Sequence, residues 1–191
     1  MLAKEIIRCG WSGSDPLYIK YHDEEWGVPV LDDKKLFEFL ILEGFQAGLS
    51  WRTILYKREN FKKAFDNFDA EKIVRYKDKK VQELLNDAGI IRNRLKIAST
   101  ISNARAYLDI IDKTGSFSDY LWQFTSGKVI KNERKTLKDI PAKTKESDAM
   151  SKQLLKDGFK FVGSTICYAH MQATGMVNDH LVDCFRYKKV K

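Results

Sequence analysis

The stretch Leu85-Asn86-Asp87-Ala88-Gly89-Ile90-Ile91-Arg92-Asn93-Arg94 decides the fold. Before it, KDKKVQELLNDAG reads as a short amphipathic helix. After it, Leu95, Ile97, Ala98, Ile101, Ala104, Tyr107 and Leu108 recur at spacings of three and four, the signature of a longer helix over residues 94–111. The ten residues between look like a helix-hairpin-helix turn. Such a turn exposes backbone N–H groups at the start of the second helix, where an anion is favoured, and Arg92, Arg94 and Lys96 add positive charge. The residues leave a plainer alternative open. The second glycine usual in such a hairpin is Ile91 here, so an ordinary corner between two helices, closed by Gly89, fits as well.

Outward from this turn, most of the chain reads as helix, so the expected fold class is all-α. Asp32 or Asp33 caps an apolar run that ends near Gly44, and Ser50 caps WRTILYKRENFKKAF. FDAEKIVRY, residues 116–124, a helix ending at Gly158 and one ending at Gly175 complete the set. Strand candidates are poor; FKFVG and VIKN are the two segments that could pair. Three prolines, no repeat and no low-complexity linker fit a single domain over residues 1–191, built as two interleaved helical lobes with the hairpin near residues 85–96.

The balance of 43% hydrophobic and 31% charged residues excludes a disordered or collagen-like chain. The net charge of +8 points to an anionic partner, either nucleic acid or an acidic membrane surface. It is unevenly spread. Residues 1–51 sum to −4, residues 52–107 to +7 and residues 108–191 to +5. MLAKEIIRCGW lacks the apolar core of a secretory leader. Residues 161–178 carry no charge, yet their Ser, Thr, His, Gln and Asn are too polar for a lipid-facing span, so they read as a buried helix. Three cysteines with no leader argue against a disulfide scaffold and for a reducing, cytoplasmic setting.

Two groups of residues carry chemistry. Cys9 and His22 lie near one terminus; His180 and Cys184, spaced four apart, lie near the other. Two thiolates and two imidazoles are the closed tetrahedral set of a structural zinc site, which would staple the termini together. Without a CxxC pair, buried inert thiols and core histidines remain an alternative. Cys167 and His170 read as core packing. The second group centres on Glu43, which ends the apolar run Phe39-Leu40-Ile41-Leu42. A carboxylate there needs a binding partner if it is buried. Trp11, Tyr18, Tyr21, Trp26 and Trp51 surround it in sequence, making a pocket suited to a flat, cationic, π-rich ligand. A water-exposed helix-end glutamate beside core aromatics is the alternative.

Six blocks, taken in order, resemble the DNA-3-methyladenine glycosylase I family of bacterial base-excision repair enzymes. They are RCGW (8–11), DPLYIKYHDEEWGVP (15–29), LEGFQAGLSW (42–51), DAGIIRNRLKI (87–97), NARAYL (103–108) and FKFVGSTICYAHMQATGMVNDH (159–180). The family is similar in fold to the helix-hairpin-helix glycosylases. The resemblance implies one structural zinc per chain on Cys9, His22, His180 and Cys184. It implies that Glu43 contacts the excised base, Trp51 stacks on it, and Tyr21 and Trp11 line its pocket. It implies that Gln46, Gly48 and Leu49 belong to the loop that enters the duplex, and that Gly89, Ile91, Arg92 and Asn93 belong to the hairpin that grips phosphate. No role passes to Asp109 or Asp112. Asn93 stands where a strand-cleaving relative would carry a lysine, which implies a monofunctional enzyme. Phe45 departs from the family, where a polar residue is commoner.

The function so implied is hydrolysis of the N-glycosidic bond of N3-methyladenine in alkylated double-stranded DNA by a monomer, releasing 3-methyladenine and leaving an abasic site. A non-catalytic helix-hairpin-helix DNA-binding module is the other class of reading. A base deaminase is disfavoured, since H-x-E and P-C-x-x-C are absent and the four-ligand site would be closed.

Overall fold

Asp32, Ser50, Asn93 and Ser116 each end an irregular stretch, and each side chain accepts a hydrogen bond from the backbone N–H three residues on. A helix begins after every one of them, because the cap satisfies an N–H that has no partner inside the helix. The computed structural model describes residues 6–190, so the leader reading and the 1–191 domain reading extend beyond it at both ends. Among the described residues the helices are α1 (Pro16–Glu24), α2 (Asp33–Gln46), α3 (Trp51–Ala64), α4 (Ala70–Ile73), α5 (Asp78–Asn86), α6 (Arg94–Thr114), α7 (Phe117–Trp122), α8 (Lys145–Lys156) and α9 (Ser164–Ala173).

The all-α expectation holds, with corrections. Helix α1 carries no strong apolar stripe. It starts because Asp15 accepts from the Leu17 and Tyr18 N–H groups and Pro16 occupies the first turn, where its missing N–H costs nothing. Helix α2 is buried along Leu36 to Phe45, which makes it the centre about which the others pack. It runs past Gly44 to Gln46. Gly44 is an interior packing position: a Cβ there would lie 3.4 Å from Phe161 Cβ, so the absent side chain lets another segment approach. Helix α4 is one turn and covers only part of FDAEKIVRY.

The strand expectation is half right. Ile130–Lys131 (β1) lies within VIKN, but its parallel partner is Val177–Asn178 (β2). FKFVG forms no strand. Asn103 of α6 occupies its backbone instead, accepting from the Lys160 N–H at 2.8 Å and donating to the Lys160 carbonyl at 3.0 Å. The β1–β2 pair draws residues 130–140 alongside the segment that carries His180.

Candidate functional site

One cavity of about 310 Å³ is lined by Trp11, Tyr18, Tyr21, Trp26, Glu43, Gln46 and Trp51, with Leu137, Ile140, Ala169 and Gln172 on the opposite side. It gathers all four residues expected at a base pocket: Glu43 from α2, Trp51 from the start of α3, Tyr21 from α1 and Trp11 from the turn before α1. Tyr21 and Trp51 lie 5.4 Å apart between ring centroids, and Trp51 stacks on Phe39 behind it at 6.3 Å. Trp11 packs edge-on against Tyr18 at 5.1 Å and Trp26 at 5.0 Å.

Glu43 is 2% exposed, and its Oε2 is buried with no hydrogen-bond partner. Loss of solvation pushes its pKa up to about 8. Trp51 Nε1 is likewise buried and unpartnered. Burial first, then the Glu43 charge, holds the Tyr21 phenol well above its ordinary range, so it stays protonated. The site therefore offers a carboxyl group and a phenol, in an aromatic slot, to a ligand that can donate hydrogen bonds or carry positive charge. Gln172 joins them through Asp179, which is 1% exposed and accepts from Gln172 Nε2 at 2.9 Å, Asn132 Nδ2 at 2.8 Å and Arg134 Nε at 3.1 Å. A carboxylate accepts only, so the amide is fixed with its nitrogen toward Asp179.

Phe45 points away from this cavity. It is 1% exposed and packs on Phe61 at 4.7 Å and Phe65 at 5.8 Å, so its departure from the family concerns the core.

The four candidate metal ligands converge. Cys9, His22, His180 and Cys184 are all buried, and one donor atom from each lies within 4.8 Å of the others. Cys9 Sγ is 3.5 Å from His180 Nδ1, and Cys184 Sγ is 3.5 Å from His22 Nε2 and 3.6 Å from His180 Nδ1. A tetrahedron with metal–sulfur bonds of about 2.3 Å and metal–nitrogen bonds of about 2.05 Å separates S from N by about 3.5 Å, so the donor set fits an ion of that size. Both imidazoles are also oriented by their other nitrogen. His22 Nδ1 meets Asp23 Oδ1 at 2.7 Å, itself held by Arg8, and His180 Nε2 meets the Trp26 carbonyl at 3.1 Å. Metal-ligating histidines are held in this way. The proximity of the two sulfurs pushes the Cys9 thiol up and the Cys184 thiol down. Cys167 and His170 take no part. Cys167 donates to the Val162 carbonyl, and burial pushes His170 down to about 3, making it a neutral core imidazole.

This cluster is continuous with the pocket wall. Trp11 lies 5.2 Å from His22, and Trp26 lies 4.6 Å from His180, ring to ring.

Two exposed turns lie beyond the pocket. In residues 46–49, Ala47 (φ −46, ψ 116) and Gly48 (φ 79) make a type II turn, closed by the Leu49 N–H donating to the Gln46 carbonyl at 2.6 Å. Gly48 is required there because a side chain would be strained at that φ. Leu49 is 42% exposed at its tip. The second turn joins α5 to α6. Asp87 Oδ1 accepts from the Gly89 N–H at 2.7 Å, Lys57 Nζ donates to the Ala88 and Gly89 carbonyls, and Asn93 caps α6. Arg92, Asn93 and Arg94 are exposed and Ile91 is half-buried. Lys96 is the exception. It is 7% exposed and its ammonium turns inward, so it adds no charge to the turn surface.

Sequence reading missed Leu137 and Ile140, which carry no local motif, and Ala169 and Gln172, which lie in the 159–180 block but were given no role; all four reach the pocket through tertiary contacts. Tyr18 and Trp26 were expected among the aromatics around Glu43, though the family resemblance gave them no separate role, and both line the cavity.

A family model described as methyladenine glycosylase matches residues 11–187. The chain is 54% identical over 180 residues to DNA-3-methyladenine glycosylase 1 of Escherichia coli (strain K12), covering 94% of this chain and 96% of that one. A crystal structure of 3-methyladenine DNA glycosylase I superposes with a TM-score of 0.92 at 52% identity, covering 94% of this chain and 98% of that one. A tyrosine-to-phenylalanine variant of 3-methyladenine DNA glycosylase I, in complex with 3-methyladenine, also gives a TM-score of 0.92, at 34% identity and covering 96% and 99% of the two chains. With a buried carboxyl group in an aromatic slot, and likeness over nearly its whole length, this chain belongs to the methyladenine glycosylase family.

Proposed function

We propose that this chain is a DNA base-excision glycosylase that hydrolyses the N-glycosidic bond of N3-methyladenine in alkylated duplex DNA. The carrying observation is Glu43, a buried, unpartnered carboxyl group enclosed by Trp11, Tyr21 and Trp51. Methylation at N3 gives the base a positive charge and makes it a good leaving group. Water adds to the sugar carbon and gives up a proton to solvent, the bond to the base breaks, and its electron pair neutralises the departing 3-methyladenine. The protein's work is then extrusion and recognition. Glu43 accepts hydrogen bonds from the base edge and favours its charge, Trp51 stacks on the ring, and Tyr21 and Trp11 close the slot. Asn93, in place of a lysine, supplies no amine for strand cleavage, so the product is an abasic site.

On this reading Gln46, Gly48 and Leu49 form the turn that enters the duplex. Gly89, Ile91, Arg92 and Asn93 form a helix-hairpin-helix grip on phosphate, a sequence-independent and salt-sensitive contact. The ion suited to two thiolates and two imidazoles is zinc. All four positions are filled by protein, so its part is structural: it ties the chain ends together behind the pocket wall. The enzyme acts as a single domain of two interleaved lobes, as a monomer, in the cytoplasm. Among the described residues no helix is long and apolar enough to cross a membrane.

The test is incubation with methylated duplex DNA followed by chromatography of the released bases. Free 3-methyladenine is expected, and Glu43→Gln is expected to release far less while remaining folded. Duplex binding without base release would leave only the non-catalytic module; undiminished release by Glu43→Gln would remove that residue from recognition.

A further inference from the structure

Lys96 lies in the first turn of α6, three residues beyond the Asn93 cap. Its ammonium donates to the Phe45 carbonyl at 2.8 Å and to the Ala47 carbonyl at 2.7 Å, spanning about fifty residues of sequence. Desolvation lowers its pKa, and among the described residues no carboxylate pairs with it. Burying an uncompensated ammonium is unfavourable, so the two carbonyls it meets must have a use for it. They flank Gln46 at the end of α2, where the last carbonyls have no partner within the helix and the dipole favours a cation. Helices commonly close with a left-handed residue just past the end. Here the left-handed residue, Gly48, belongs to the 46–49 turn, whose closing bond runs from the Leu49 N–H to the Gln46 carbonyl and leaves the Phe45 carbonyl to another donor. The ammonium of another helix takes over the cap.

We propose that Lys96 is a positioning residue that holds the 46–49 turn in register with the 87–93 turn. The proposal rests on the reading of residues 46–49 as the segment that enters the duplex. Lys96 fastens that turn to the start of α6. Lys57 and Asn60 of α3 fasten the Gly89 carbonyl on the other side. Helix α3 itself begins at Ser50, directly after the inserting turn. A phosphate grip and a wedge on one frame keep a set separation. Loosening one link lets Gln46 and Leu49 wander, while Glu43 and the aromatic walls of the pocket, which make no hydrogen bond with Lys96, stay in place.

The experiment uses the full chain. Single-turnover release of 3-methyladenine from methylated duplex is measured at saturating enzyme, and affinity for free 3-methyladenine by quenching of tryptophan fluorescence. Lys96→Met keeps the apolar stem and removes the ammonium. Release is expected to fall about tenfold or more, since small misplacements near a reacting centre have effects of this size. Free-base affinity is expected to stay within about twofold, because Glu43 and the stacking rings keep their places. Lys96→Arg, whose guanidinium can donate to both carbonyls, is expected to recover most of the release. Leu49→Ala is assayed in parallel. Wild-type release by Lys96→Met with Leu49→Ala impaired overturns the role of Lys96 and leaves the inserting turn standing. Wild-type release by Leu49→Ala overturns the inserting turn itself. Parallel loss of release and free-base affinity in Lys96→Met, unrescued by arginine, makes Lys96 a residue of general stability and also overturns the proposal. If Lys96→Met does not fold, Lys96→Gln carries the same comparison.

Discussion

The end of the molecule that gathers Cys9, His22, His180 and Cys184, and its turn-bearing face, are built in opposite ways. At the first, Cys9 and His180 meet at 3.5 Å across 171 residues of sequence, and all four donor residues are buried. At the second, residues 46–49 and 87–93 take their local shape from near neighbours (Gly48 at a left-handed φ, Asp87 accepting from the Gly89 N–H, Asn93 capping α6) and are tied to the rest of the fold by Lys96, Lys57 and Asn60. One region brings four buried side chains from both ends of the sequence to one point. The other spreads its interaction over exposed backbone and cations, each of which contributes little alone. The pocket lies between them, with its aromatic wall packed on the first and Gln46 at the edge of the second.

The sharpest way to break this contrast is at the buried end. Cys184→Ala removes one of four ligands and leaves the others in a dry site. Metal analysis is expected to fall from about one zinc per chain toward none. Stability should drop by several kcal/mol, which for a domain of this size lowers Tm by on the order of 10 °C in calorimetry. Excision should fail with it, because Trp11 and Trp26 lose their backing. An unchanged metal content and Tm would show that the ends are held by packing alone.

Glu43→Gln comes next. Replacing the carboxylate by its neutral isostere removes the attraction for a cationic base, and release from methylated duplex is expected to fall about a hundredfold, equivalent to about 2.7 kcal/mol. Folding should respond the other way. Burial raises the Glu43 pKa from 4.5 in the reference state to about 8 in the fold, so the protonated form stabilises the protein fully below pH 4.5. That contribution is lost as pH climbs from 4.5 to about 8. The glutamine variant should therefore gain in Tm over the wild type, more at pH 8.5 than at pH 5. A gain that does not grow with pH would mean that Glu43 ionises normally in the fold.

The same group sets a pH profile. Since the charged carboxylate serves the base, kcat/KM of the free enzyme should rise as pH approaches about 8, and the glutamine variant should lack this rise. The smallest effect is expected on the turn-bearing face. Arg92→Ala should weaken duplex binding only a few-fold, equally for all sequences, and reduce the slope of log affinity against log salt by about 0.9. A hundredfold loss there would mean that this face, too, depends on single side chains.

What could be read before the fold follows the same division. The caps read at Asp32 or Asp33 and at Ser50 placed two helices to within a few residues, because a cap is a local hydrogen bond. The apolar run before Glu43 marked a carboxyl group headed for burial. Helix α1 went unread, although Asp15-Pro16 announced it, because its apolar spacing is weak. Lys96, next to two exposed arginines, read as a third phosphate contact; only the folded chain turns it toward Phe45 and Ala47. VIKN was recognised as extended, but its partner Val177–Asn178 lies inside a stretch that reads as helix.

The sequence by itself determined the helical periodicity, the caps, the set of soft donors at the two ends and the aromatic wealth around a carboxylate. All of these depend on residue type and on spacings of a few residues. The tertiary structure decided which donors share a site, that Glu43 has no partner, that Gln172 is held by Asp179 and that a cation of α6 closes α2. Those outcomes depend on which surfaces are excluded from water together. Desolvation acts on neighbours in space, whatever their separation along the chain.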